Sequence, residues 1–402
     1  MIVGPCRIVT GGPSPQVLED AGVRVVGAHV AQVARIGALA ASHPEETVWP
    51  ARGRVLLPGF VNSHAHLARH LSRGLALRES ADWEDYDRAL APEDVYWAAL
   101  AALIEGARHG ITTTCDLHRS GACLDLSLSE VTSAAEKLGV RVATGYAAAE
   151  RDSTREREAA RRESLSLATD LRRRREGRLC GLIGVRAETL GGLTGLLEEA
   201  LDASGGDLSL HVELAFDGGA GEPWGESLRE SPWPSMWAHA EHAPAALVAA
   251  ARERGDAMAA TPSWLAGATP EDHLAWGSDA GVHAPPLPGG IETPSADAAR
   301  AYYRRVYVNG ARWAARHFGE GLGTIEPGSP ADLVLMDYAP ATDLDAGTLL
   351  AHATTGLARA QVSGVMVAGE IVMDHGTLVT VDEAEVAARA RECARRVWKK
   401  LG

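Results

Sequence analysis

The sequence predicts an α/β fold: a (β/α)8 TIM barrel with a small composite β-sandwich domain formed by both chain ends. Strands and helices alternate strictly from residue 56 to about 318, and short strands with tight turns flank that region on both sides. Length agrees, since 402 residues exceed one small core and such a barrel takes about 250.

Residues 2 to 57 hold short β-type runs, "RIVT", "VRVVGAHVAQVARI" and "RVLLPGF", broken by Gly, Pro and Asp. The texture then changes. "PEDVYWAALAALIEGARHG" repeats apolar residues at helical spacing and stops at Gly110, before the β-branched "ITTTCDL". Helix "LSEVTSAAEKLG", strand "VRVATGYA", a helix from about 152 to 176 and strand "LCGLIGVR" follow. Helix "LTGLLEEALDAS" and strands "LSLHVEL", "SMWAHA", "DAMAATP" and "HLAWGSD" complete the series. With the strand that bears His64 these make eight, and regular alternation implies a parallel sheet covered on both faces.

The barrel is expected over 58–318. The composite β-domain is expected over 1–57 and 320–380, where "PGSPADLVLMDY" and "AQVSGVMVAGEIVMDHGTLV" return to short strands. Residues 381–402 form an amphipathic helix closing on the barrel.

Hydrophobic content of 46% is ordinary for a globular protein, and no apolar run reaches the roughly 18 residues of a membrane span. The start "MIVGPCRIVTGG" lacks the pattern of an export signal, so a cytoplasmic location is expected. Five widely spaced cysteines form no C-x-x-C pair, which argues against a disulfide framework or a thiolate zinc site. A net charge of −14 repels phosphate backbones. The expected partner is a small molecule rather than nucleic acid or membrane, with a homodimer left open. The mixed-sign run over residues 150–178 reads as a solvated helix face laced with i,i+4 pairs.

The chemistry begins in "LLPGFVNSHAHLARHLSRGL". His64 and His66 are two apart on a strand and share a face, so both can bind one ion at the barrel mouth, where the C-terminal strand ends lie. Two inward histidines without an ion would each need a hydrogen-bond partner in a crowded core.

The stretch "ARGRVLLPGFVNSHAHL" with Arg73 and Gly74 resembles the deaminase and chlorohydrolase branch of the amidohydrolase superfamily. "GITTTCDLH", "WAHAEHAPAALVAAARERG", "WGSDAG", "NGARWAARHFG" and "GTIEPGSPADLVLMD" match it in order along nearly the whole chain. The chain ends look most similar to the aminohydrolases labelled SsnA. The resemblance implies one divalent ion, zinc or iron, held by His64, His66, His211 and Asp279. Three imidazoles and a carboxylate suit either metal and leave a position open for water. It also implies Asp279 as the base that takes the water's proton and His239 as the group that orients the water. His242, at the start of a helix, reads as a cap or surface residue. Many relatives bridge two metals with a carboxylated strand lysine. The only lysines here are Lys137, Lys399 and Lys400, none on a predicted central strand, so one metal is expected.

Two positions depart from the branch. Its H-x-x-E glutamate is replaced by Leu214, while Glu213 stands two residues after His211 on the same strand face. Glu213 is then either the proton donor to the leaving amine or a supporting partner. In "GVRA", Arg186 stands where substrate is usually met, as a clamp for a substrate carboxylate or as the partner of a structural one. His118 and Trp264 join it as candidate substrate contacts. The implied activity is metal-dependent hydrolysis, above all deamination of a small N-heterocyclic or amidine-like compound. Hydrolysis of a cyclic amide or of another C–N or C–Cl bond, and a lyase-type or impaired metal-binding relative, remain alternatives.

Overall fold

The computed structural model describes residues 1–77, 80–121, 123–175, 177–206, 208–215, 234–239, 245–260, 274–280 and 295–402. Among them, parallel barrel strands run Phe60–His66, Ile111–His118, Arg141–Ala149, Ile183–Ala187, Leu210–Leu214, Met236–Ala238 and Ala257–Ala260. The eighth comes in two pieces, Leu274–Trp276 and Asp279–Ala280. Each strand pairs with the next in parallel. Asp279–Ala280 pairs back on the first strand, with Asp279 opposite Ala65, and this closes the sheet. The barrel expected from the alternation is present.

Period two decides which side chains enter the lumen. Val185, Ala187, Leu210, Val212 and Leu214 pack outward against Leu193, Leu196 and Leu197 of helix Leu190–Ser204. Arg186, His211 and Glu213 therefore point inward. The intervening helices start and stop on local signals. Ser153 caps Thr154–Arg174 reciprocally with Glu156, and Gly139, at φ +91, ends Ser127–Leu138. Thr154–Arg174 buries Ala160, Ser164, Leu167, Ala168 and Leu171 and leaves its charges outside, where Arg157 and Arg161 meet Glu199 of the neighbouring helix.

Both chain ends enter one nine-stranded sheet. Its order is Thr377–Leu378, Glu370–Asp374, Gln361–Val367, Leu333–Asp337, Val55–Pro58, Ile2–Val9, Val17–Val26, His29–Arg35, with Val48–Trp49 beside Ile2–Val9. Val55–Pro58 lies between early and late segments and pairs antiparallel with Leu333–Asp337. Val3, Ile8, Val23, Trp49, Leu56, Leu335 and Met366 share its core. A buried ion pair ties sheet to barrel: Arg141 of the third barrel strand meets Asp332 at 2.7 and 2.9 Å.

Helix Glu383–Leu401 lies on the barrel's first helices. Arg396 bonds Asp94, and the Trp398 indole donates to the Leu71 carbonyl at 2.8 Å. No helix among the described residues is long and apolar enough to cross a membrane.

Candidate metal centre and active site

The first strand delivers His64 and His66 to its C-terminal end, both buried. Asp279 arrives from the eighth strand at φ +63 and His239 from the end of the sixth at φ +54. Left-handed backbone at two non-glycine residues is strain of the sort found at functional sites, and here it turns both side chains toward the histidine pair. The Nε2 atoms of His64, His66 and His239 each lie 3.7 Å from Asp279 Oδ1.

The segment before Asp279 is fixed by the first strand. Asn62 bonds Ser278 through both the Ser278 backbone N–H and its hydroxyl, and the Ser278 N–H also reaches the His64 carbonyl at 2.8 Å. Gly277 is required there, since a Cβ would fall 2.8 Å from the His64 Cβ. Asn62 was not singled out in the sequence. A register shift between Asn62 and Ala65 interrupts the period of two there, so the spacing that ties His64 to His66 does not extend to Asn62.

The donor chemistry fits a cation. His66 Nδ1 lies 2.6 Å from the Leu117 carbonyl, which only accepts, so that nitrogen carries the proton and Nε2 presents a lone pair. Burial first, then Arg69, holds the His66 pKa well below its ordinary value, so the ring is neutral. Its Nε2 faces Asp279 Oδ1 and, also at 3.7 Å, Glu213 Oε2. His66 Nε2, His64 Nε2 and Glu213 Oε2 are buried and have no hydrogen-bond partner among the described residues. Nitrogen and oxygen donors converging in this way suit a cation. His64, His66 and Asp279 form the candidate group whose ligand atoms lie mutually close.

His211 is also buried and inward, but its Nε2 lies 3.0 Å from His64 Nδ1 rather than beside Asp279. Burial, then His64, holds it neutral as well. For Asp279, burial alone would raise the carboxyl pKa. The adjacent rings of His239 and His64, then His66, reverse this and keep it well below the carboxylate range.

Glu213 lies in the same lumen. Arg186, its in-register neighbour on the fourth strand, approaches with Nε 3.7 Å from Oε1, and His239 Nε2 is 4.0 Å from that oxygen. Burial pushes the Glu213 pKa up. Arg186, then His66, Arg69 and His239, outweigh it and keep the group ionised. The carboxylate that Arg186 meets is thus the candidate acid itself. Leu214 faces outward into the helix layer.

Arg69 escaped notice in the sequence. It lies in the short helix Leu67–Ser72 directly after His66, is 5% exposed, and is held by Asp87 at 3.1 and 2.8 Å with Trp83 beneath it. An arginine within the apolar stretch "HLARHL" was the available signal.

His118 requires a correction. Asp116 pairs with Ala65, the residue between the two histidines, so Asp116 and His118 project to the face opposite His64 and His66. His118 bonds Ser120 at 2.8 Å and packs edge-on against Tyr146, outside the lumen, instead of joining the substrate contacts. Trp264, His242 and most residues of the loops after the fifth, seventh and eighth strands lie outside the described residues. Lys137 is on helix Ser127–Leu138 and Lys399 and Lys400 on Glu383–Leu401, away from every barrel strand.

A closed parallel barrel with an inward H-x-H pair, a strand-eight aspartate and an inward strand-five glutamate defines a class of metal-dependent hydrolases. Residues 55–211 match the family model described as Amidohydrolase family. The 5-methylthioadenosine/S-adenosylhomocysteine deaminase of Moorella thermoacetica is 27% identical, over 88% of this chain and 90% of that protein. The enzyme of the same name from Caldanaerobacter subterraneus is 25% identical, over 94% and 95%. Among solved structures, a zinc-bound adenosine deaminase from Xanthomonas campestris superposes with a TM-score of 0.75 at 18% identity, covering 99% of this chain and 98% of that one. The zinc complex of atrazine chlorohydrolase from Arthrobacter aurescens gives 0.72 at 18%, covering 98% and 99%. These two share the fold. The resemblance to amidohydrolases read from the motifs is borne out.

Proposed function

We propose that this chain is a metal-dependent aminohydrolase that removes an exocyclic amine from a small N-heterocycle, with the adenine ring named in its relatives as the first candidate. The observation that carries this reading is the meeting of His64, His66, Asp279, His239 and Glu213 in one lumen at the C-terminal ends of the strands. His64, His66 and Asp279 would hold one zinc or iron ion, with His211 as the fourth ligand once it exchanges its bond to His64. Such an ion lowers the pKa of a water toward about 7 and so supplies a nucleophile at neutral pH.

The side chains then divide the work. Asp279, ionised and in reach of His239, accepts the water's proton. His239 Nε2, 3.7 Å from Asp279 Oδ1, donates to the attacking oxygen and holds it against the ring carbon as that carbon turns tetrahedral. Glu213, ionised beside Arg186, receives the proton that Asp279 took from the water and passes it to the departing amine, which leaves as ammonia. Arg186 keeps that carboxylate in the lumen.

The test is release of ammonia from 5-methylthioadenosine, S-adenosylhomocysteine, 5'-deoxyadenosine and adenosine, with metal analysis on the same sample. Metal-loaded protein that released no ammonia from any aminated heterocycle would remove the deaminase reading.

A further inference from the structure

The closed end of the barrel, opposite the histidine cluster, gathers positive charge in a chain of net charge −14. Helix Gly310–Phe318 presents Arg312 and Arg316 one turn apart, both exposed. Like charges at i and i+4 repel. Among the described residues, neither guanidinium meets a carboxylate within ion-pair distance.

Arg316 stands between two cavities. One, of about 240 Å³, is lined by Arg172, Arg175, Ser209 and His317 and has no carboxylate among its described lining residues. The other, of about 420 Å³, holds Arg252 and Arg312. Its one acid, Asp256, is committed to the Ser235 N–H at 2.8 Å, the Trp237 indole at 3.0 Å and Arg254 at 3.2 Å. Arg316 is seated against backbone: a Cβ on Gly255, itself at φ +74, would come 2.9 Å from its Nη2. Arg175 ends helix Thr154–Arg174 at φ +52, and its side chain lines the first cavity. His317 closes that cavity, with Ser209 Oγ 3.3 Å from Nε2 and Cys180 Sγ 3.6 Å from Nδ1.

We propose that Arg175 and Arg316 form a binding site for a phosphate group in the smaller cavity, separate from the catalytic lumen. A tetrahedral dianion offers oxygens to two guanidinium groups from different elements at once, and Arg–phosphate contact is commonly bidentate. Ser209 adds a hydroxyl, and a buried floor of Leu179 and Leu208 limits the size of what enters.

The experiment is calorimetric titration of the full chain with inorganic phosphate, against sodium chloride at equal ionic strength. The expected result is saturable binding of about one phosphate per chain that chloride does not reproduce. Arg175→Ala and Arg316→Ala, both at exposed positions, each weaken it about tenfold or more, as removal of a charge-assisted pair implies. Arg389→Ala, on the far helix Glu383–Leu401, leaves it unchanged. A parallel titration with glycerol 2-phosphate separates free phosphate from phosphate carried on a larger molecule. A response matched by chloride, or binding undiminished in both variants, would overturn the assignment.

Discussion

Arg186 and Glu213 face each other across adjacent barrel strands, Nε 3.7 Å from Oε1, while the second oxygen of Glu213 looks at His66 from the same distance. One carboxylate thus has a permanent cation on one side and the candidate metal ligand His66 on the other. A group so placed stays charged at rest and is free to carry a proton only during the reaction.

If Glu213 protonates the leaving amine, Glu213→Gln should retain the fold and the metal and lower turnover by about 10² to 10⁴, the usual contribution of a positioned acid. Steady-state kinetics with elemental analysis on the same preparation checks this. A variant within about threefold of the parent rate would take Glu213 out of the mechanism.

The metal prediction concerns occupancy. Purified protein should contain about one zinc or iron per chain. His66→Asn should reduce that by about tenfold or more with an unaltered circular dichroism spectrum, because an inner ligand is lost and no core volume changes. Two ions per parent chain, or undiminished metal in the variant, would contradict the site.

His118 gives a pH prediction. Burial first, then Arg119 and Arg69, lowers its pKa to about 3 from an ordinary value near 6.5. Between those values the unfolded chain binds a proton that the folded chain refuses. Its contribution to stability is therefore complete above pH 6.5 and declines as pH falls, by about 1.4 kcal/mol per unit. His118→Gln removes this term. Urea unfolding at pH 6.5 and pH 5 should show the parent losing about 2 kcal/mol more than the variant. Equal losses would mean that His118 is not the buried neutral ring described.

The Arg141–Asp332 pair is almost fully enclosed, with side chains 3% and 2% exposed. Removing one member leaves the other charged and buried, so Asp332→Ala should cost about 3–5 kcal/mol. Arg141→Ala should cost a similar amount, and the double variant less than the sum of the two. Denaturant curves for the three variants decide it. Because this pair joins barrel to sheet, we propose that an isolated piece spanning 58–318 folds less stably than the whole chain.

The barrel was legible because strand and helix periods are local properties that survive in any tertiary setting. The pairing of His64 with His66, and of Glu213 with His211, was legible for the same reason: period two puts each pair on one face of its strand, while His211 and Arg186 themselves were pointed to by motif resemblance. What the period does not say is which face is inward. His118 was misplaced on that account, since its direction follows from the register Ala65–Asp116 between separate strands. Asp279 and His239 reach the cluster through left-handed backbone that no propensity predicts, and only motif resemblance pointed to them. Arg69 was missed because its meaning lies in Asp87 and Trp83, 18 and 14 residues away, on an element whose approach the sequence does not encode locally.

The nine-stranded sheet also sets a clock on synthesis. Val55–Pro58 needs Leu333–Asp337 as its neighbour, about 275 residues later in the chain. At about 5–20 residues per second, the emerging amino-terminal strands wait some 15 to 55 seconds for that partner. During the wait their open edge and the apolar faces of Val3, Ile8 and Val23 are available to other chains. Translation speed and chaperone supply should therefore govern the yield of this protein more than the strength of its finished core.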